Sequence, residues 1–395
     1  MRRRLRKPIK IALQIFLIVF VFVLFVLTLK TVFSKPENIN HQKYKDGKCL
    51  VYYPNNEKIE EYAKNLCVNK DKQTIDFNTN SAGDYFLIEY PEKTFYLNND
   101  YSDINLIIND RQIVLDELVY QMKKDNQDIA YTSSFISNIS ETDLDNSSLS
   151  IENNELLIYV PQYDYSLHIP LDLAQNVLNM NFGLNKIEYT KRRYVNPNKP
   201  MLAITYDDGP YKPVDTVIID TFLKYDSRCT FFFVGDRMGP NSLAYSKDAI
   251  NEGFEIGSHS EHHAHLAKLS ASDAKASINQ IVDYFKENAN YDMKVYRPPY
   301  GERNIDMEEN IDLVSILWNV DSQDWKNRDS DITYSNIMKT IDENDVVLMH
   351  SLYESSANAT KKLVPDLIDQ GYQLVTISEL LENLNLTDKK VFRGN

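Results

Sequence analysis

The stretch Met201-Leu202-Ala203-Ile204-Thr205-Tyr206-Asp207-Asp208-Gly209-Pro210 runs from an apolar strand signal into two adjacent acids and a Gly-Pro turn. A strand that ends this way places two carboxylates at its C-terminal edge, where α/β folds build their sites. Further along come His259 and His263. Histidines four apart can face one metal, because that spacing shares a side of a helical turn. Together these residues supply a hard anionic ligand, two imidazole ligands and a second carboxylate free to act as base, which is what metal-assisted hydrolysis needs.

Outward from this stretch the texture alternates between strands and helices. Strands are expected at Leu202–Thr205, Thr230–Val234, Glu255–Ser258, Val295–Arg297, Val314–Trp318, Val346–Met349 and Gln373–Thr376. Helices are expected between most of them: Val214–Tyr225, Leu243–Asn251, Ala271–Asn288, Tyr334–Ile341, Thr360–Gln370 and Ile377–Leu384. Ser270-x-x-Asp273 is the N-terminal cap of the third helix. Such alternation predicts an α/β catalytic domain over 196–387, a small, irregular (β/α) barrel. The Pro-flanked stretch Asn196–Pro200 is expected as its hinge.

Before the hinge, residues 48–190 read as a small α+β module without a catalytic constellation. Short β-rich runs at Tyr85–Ile88, Ile104–Ile108 and Leu156–Val160 are interrupted by amphipathic helices near Glu57–Leu66 and Ile113–Lys123. The Ser/Asn/Asp-rich stretch 138–154 reads as an exposed loop, and His168 as an ordinary strand residue. The module offers a spacer, sensor or contact role and nothing more specific.

Residues 1–10 are basic, and Ile11 to Leu29 is an uncharged run of nineteen. At ~1.5 Å per residue that run covers roughly the ~30 Å hydrocarbon core. A transmembrane signal anchor is therefore expected over 11–33, with 34–47 as a linker. A cleaved signal peptide is the rival, although the run is longer than such apolar regions usually are. The basic flank predicts a cytoplasmic N-terminus, a single pass through the cell membrane and an extracellular catalytic domain on the wall side. Beyond Lys35 the chain holds 35 basic against 57 acidic residues, a balance of −22. That surface repels nucleic acid and excludes a DNA or RNA role. Of three cysteines, Cys49 and Cys67 leave a disulfide open, while Cys229 beside a run of Phe is expected as a buried thiol.

Five of the seven histidines fall at 259–265 and 350. In order, Thr205-Tyr-Asp-Asp-Gly-Pro210, His259-Ser-x-x-His263, Arg297-Pro-Pro-Tyr-Gly301, Asp321-x-x-Asp-Trp325 and Leu348-Met-His350 resemble the motifs of polysaccharide deacetylases, the NodB-homology group or carbohydrate esterase family 4. The resemblance covers about Pro197 to Leu384. It implies a distorted (β/α)7 barrel and removal of acetyl groups from N-acetylated sugars. It also implies Asp208, His259 and His263 as metal ligands, Asp207 as general base and His350 as general acid. Arg297 would orient the base, and Asp321 would orient His350 and favour its charged form. The Tyr300 N–H would hold the oxyanion. Tyr300, Trp325 and Leu348 would line the substrate and acetyl pocket, with His262 and His265 as rim residues. Tyr206 departs from the usual Phe, Ser258 from Asn and Ala264 from Pro; none removes a ligand or proton carrier.

The expectation is a membrane-tethered, metal-dependent hydrolase of linear amides, with Zn2+ at the site and Co2+, Ni2+ or Fe2+ also suited to it. Its partner would be N-acetylated cell-wall glycan, foremost the N-acetylglucosamine of peptidoglycan; no protein partner is implied. Alternatives are N-acetylmuramic acid, poly-N-acetylglucosamine, a chitin-like or secondary wall polymer, or a non-catalytic wall-binding protein.

Overall fold

The computed structural model describes residues 110–144, 147–152, 155–177, 189–303 and 305–395, and, before them, the strand segments 41–46, 49–54, 74–76, 81–82, 85–89 and 94–98. The anchor expected at 11–33, the helix expected at 57–66, the strand expected at 104–108 and Cys67 lie outside the described residues. Among the described residues, no helix is long and apolar enough to cross a membrane.

Contacts divide the chain into two units. The first holds two small sheets. In one, His41–Asp46 pairs antiparallel with Cys49–Pro54, which pairs parallel with Thr74–Asp76. In the other, Ser81–Ala82, Tyr85–Glu89 and Thr94–Asn98 form an antiparallel meander.

The second unit comprises Asp110–Ser147, Tyr159–Ile169 and Lys186–Asn395. The contact boundary thus runs differently from the one drawn on composition. Its helix Arg111–Lys124 is capped by Asp110 and buries Val114, Leu118 and Met122. Salt bridges Lys123–Asp226 and Arg193–Glu379 tie the segments before residue 200 to the rest of the unit. The Ser133 N–H and hydroxyl both donate to Asp369. Where 138–154 is expected as an exposed loop, the described residues carry a 3-10 turn at Glu141–Leu144, which buries Leu144, and, within the first unit, a strand at Ser148–Glu152.

At the centre of this unit lies a curled parallel sheet, an open half-barrel. Its strands are β1 (Met201–Gly209), β2 (Thr230–Phe233), β3 (Glu255–Ser258), β4 (Val295–Tyr296), β5 (Val314–Ile316), β6 (Val320–Asp321), β7 (Val346–His350), β8 (Gln373–Leu374) and β9 (Val391–Phe392). The order is β6-β7-β1-β2-β3-β4-β5-β9, with β8 paired to the start of β1. Helices α1 (Lys212–Lys224), α2 (Pro240–Asn251), α3 (Ala271–Ala289), α4 (Ile305–Asn310), α5 (Asp324–Asn327), α6 (Ser330–Met338), α7 (Glu354–Asp369) and α8 (Ile377–Asn383) connect most of the strands. Ser270 caps α3 through the Asp273 N–H, as its sequence predicts.

Parallel strands are covered on both faces and so read as continuous apolar runs. The first seven residues of β1 are buried accordingly, as are Phe231, Phe232 and Phe233 of β2. Cys229 is a buried free thiol.

Candidate active site

The site begins with register. In the β1–β7 pair, Asp207 lies opposite His350, so an acid and an imidazole stand side by side at the strands' C-terminal ends. Two successive residues of a regular strand would point to opposite faces. Here the β1–β2 register shifts between Asp207 and Gly209, and Asp208 takes φ 70. A bulge of this kind re-aims a side chain. Gly209 is obligatory, since a Cβ there would meet the Phe233 ring at 2.6 Å and Ser351 Oγ at 2.8 Å.

Asp208 Oδ1 lies 3.1 Å from His263 Nε2 and 3.5 Å from His259 Nε2. The helical turn expected to pair these histidines is not there. Ser260 (φ 64) and His263 (φ 49) are left-handed, and the loop is held by Gly235 N–H to Ser260 O and Glu261 N–H to Ser277 O. Left-handed non-glycine residues cost of order 1–3 kcal/mol each and persist where surroundings over-determine them.

These three residues fit a divalent cation. Their ligand atoms all lie within 4.8 Å of one another. Asp208 Oδ1 is buried and makes no hydrogen bond, although two imidazole nitrogens face it. A shared cation satisfies an orphaned anionic oxygen of this kind, and two imidazoles with one carboxylate make a catalytic zinc-type donor set with open positions. His259 Nδ1 sits 2.7 Å from the Arg297 carbonyl, which fixes the ring with Nε2 toward the triad. Burial pushes the His259 pKa down against the pull of Asp207 and Asp208, favouring the neutral ligand form. Burial alone would raise the Asp208 carboxyl; the His263 and His259 imidazoles outweigh it and hold Asp208 well below the usual range.

Asp207 is nearly buried, with Oδ2 3.7 Å from His259 Nε2. Its Oδ1 accepts from Arg297 Nη1 at 2.7 Å. Arg297 is fully buried, bonded also to Thr205 Oγ1 and the Ile316 and Leu317 carbonyls, and lies over the Phe232 ring.

The carboxylate on His350 is Asp324, and this corrects the expectation for Asp321. Asp324 Oδ1 is 2.8 Å from His350 Nδ1; Oδ2 accepts from the His350 N–H and from Ser356 Oγ. Asp321 instead accepts from the Gln323 N–H and closes a local turn. The reason is Gln323, left-handed at φ 54, which carries the chain from Asp321 into α5 at Asp324. Burial opposes protonation of His350, but the Asp324 bond outweighs it and lifts the imidazole pKa above its ordinary value.

Tyr300 is left-handed (φ 63, ψ 4) and the residue is 56% exposed. It stacks on His265 at 4.2 Å and meets His263 edge-on at 4.8 Å, while His265 Nδ1 lies 3.0 Å from Glu302. Leu348 is buried two residues before His350 on the same face of β7, whereas Trp325 is 47% exposed on α5. His262 pairs with Asp236 at the surface. Sequence reasoning missed Tyr353, whose ring lies 6.1 Å from His350 beneath the Arg328 guanidinium, and the His265–Glu302 contact. Neither belongs to a motif.

Residues 194–313 match the polysaccharide deacetylase family. The peptidoglycan-N-acetylmuramic acid deacetylase PdaC of Bacillus subtilis is 30% identical over 291 residues, 67% of this chain and 62% of its own length. The peptidoglycan-N-acetylglucosamine deacetylase PgdA of Listeria monocytogenes is 33% identical over 209 residues, 53% of this chain and 44% of its own. The solved structure of PdaC from Bacillus subtilis aligns at 35% identity over 49% of this chain and 96% of that one, with a TM-score of 0.46. The chain thus spans less than two thirds of the length of these two curated relatives.

Proposed function

Because this chain belongs to the polysaccharide deacetylase family, we propose that it hydrolyses the N-acetyl group of N-acetylglucosamine residues in cell-wall peptidoglycan, releasing acetate. One observation carries the reading: the Asp208–His259–His263 cluster lies beside Asp207, which stands side by side with His350 on paired strands.

A divalent cation held by Asp208, His259 and His263, Zn2+ foremost, would polarise the acetamide carbonyl and acidify the attacking water. Asp207, oriented by its ion pair with Arg297, takes the water's proton. The Tyr300 N–H donates to the developing oxyanion. His350, held in its charged form by Asp324, protonates the departing sugar amine, which would otherwise leave as an anion. Leu348 and Trp325 flank the acetyl methyl. N-acetylmuramic acid is the second reading, favoured by PdaC, the relative that matches over 67% of the chain. We place the catalytic domain outside the membrane, anchored by the 11–33 span.

The test measures acetate release from purified wall glycan before and after chelation, and again with metal restored. Loss on chelation with recovery on adding Zn2+ supports the reading. Equal release throughout, or none under any condition, overturns it.

A further inference from the structure

An open cavity of about 330 Å³ has Pro210, Tyr211, Lys212, Arg237, Asn241 and Tyr245 in its wall. Pro210 lies two residues on from Asp208. The turn leading to Arg237 is fastened to the histidine loop through Gly235 N–H to Ser260 O at 3.1 Å and Asp236 N–H to Glu261 O at 2.8 Å. One wall therefore grows out of the strand carrying Asp208, and the other is bonded to the loop carrying His259 and His263.

No acidic side chain lines this cavity. The nearest acids in sequence are engaged elsewhere. Asp236 pairs with His262 at 2.8 Å, and Asp215 is buried behind the wall, accepting from the Tyr211 N–H and the Tyr245 hydroxyl. Lys212 and Arg237 pair with no carboxylate among the described residues, and Lys212 Nζ lies 5.9 Å from the centroid of the Tyr245 ring in the same wall. In a chain of net charge −14, two cations without a carboxylate partner on one cavity suit an anionic group. The planar guanidinium fork matches a carboxylate, and a lysine ammonium adds a point charge.

We propose that this cavity is an anion subsite holding a carboxylate carried by the glycan, either the lactyl ether of a muramic sugar or the peptide attached to it, while a nearby N-acetyl group meets the catalytic residues. The inference rests on the deacetylase reading and deepens it: the substrate is an anionic, muramyl-bearing glycan and not a neutral homopolymer. An acidic surface disfavours such a glycan elsewhere, so the cavity also sets its register.

The test compares the full chain with its Lys212→Gln/Arg237→Gln double variant on three probes. These are a neutral chito-oligosaccharide, a muramyl oligosaccharide with free lactyl carboxylates, and the same glycan bearing stem peptides. The preference for a muramyl probe over the neutral one, read as the ratio of kcat/KM values, should fall about tenfold, the effect of losing roughly 1.4 kcal/mol of charged contact. Arg237→Lys should retain part of it. A fall confined to one muramyl probe identifies which carboxylate is held; an unchanged ratio for both overturns the subsite. Calorimetric binding of the same probes keeps the two readings separable. If no glycan releases acetate, the deacetylase reading fails. A tenfold loss of muramyl binding in the double variant would still carry the subsite, and equal binding would overturn it.

Discussion

The two proton-handling flanks of the site are built by different means. On the base flank, β1 and its neighbours set Asp207 by register, and Arg297 locks it from below. On the acid flank, His350 owes its place to the same register, but its partner Asp324 arrives through a left-handed turn at Gln323. Parts placed by strand register follow from an apolar run and where it ends. Parts placed by a single residue's dihedral angle do not.

The largest expected effect removes what both flanks serve. Asp208→Ala should abolish acetate release, by a thousandfold or more, and should abolish calorimetric Zn2+ binding by the full chain. Retained tight zinc binding would show that the flanks, not the triad, hold the cation. Next comes Arg297→Met. Breaking one partner of a buried ion pair costs about 3–5 kcal/mol, so denaturant unfolding should move to markedly lower midpoint; a wild-type midpoint would mean that Asp207 is not held from below.

The acid flank gives a smaller effect and the sharper contrast. Asp324→Asn should lower kcat about a hundredfold, while Asp321→Asn should change it by no more than about twofold. The general acid must be protonated, and Asp324 raises the His350 pKa. The alkaline limb of the pH–rate profile should therefore shift to lower pH in Asp324→Asn. Equal effects of the two substitutions would dissolve the contrast.

The smallest effect on rate is expected at Asp215, read instead on stability. Its folded-state pKa is raised to about 7 by burial, with bonds from Tyr211, Tyr245 and Ser351 only partly opposing this. Its contribution to stability is full below the unfolded value of 3.8 and is lost as pH rises through about 7. Asp215→Asn should flatten the fall in thermal stability between pH 4 and 8. An unchanged slope would place that titration elsewhere.

Much of this could be read from the chain. Seven of the nine strands lie at or within a few residues of where apolar runs put them, and the Asp-Asp and His-x-x-x-His pairs meet. The two-residue strands Val320–Asp321 and Val391–Phe392 lie among polar neighbours, with no apolar run to mark them. The histidine pair came from the right spacing through the wrong local structure, because a loop with two left-handed residues mimics a helical turn. Asp321 and Asp324 are chemically identical and three apart; only the conformation of Gln323 decides which one turns toward the imidazole. The cations at the Pro210 cavity belong to no motif, and only the folded chain brings Lys212 and Arg237 to one wall.

Arg297 has a consequence beyond its own bonds. Its side chain needs the anion at 207, and its main-chain carbonyl steers the ring at 259. A descendant that discarded the base for an apolar residue would strand a cation in the interior and melt sooner. Selection for foldedness alone would therefore tend to preserve the chemistry, insuring this chain against drifting into an inert look-alike.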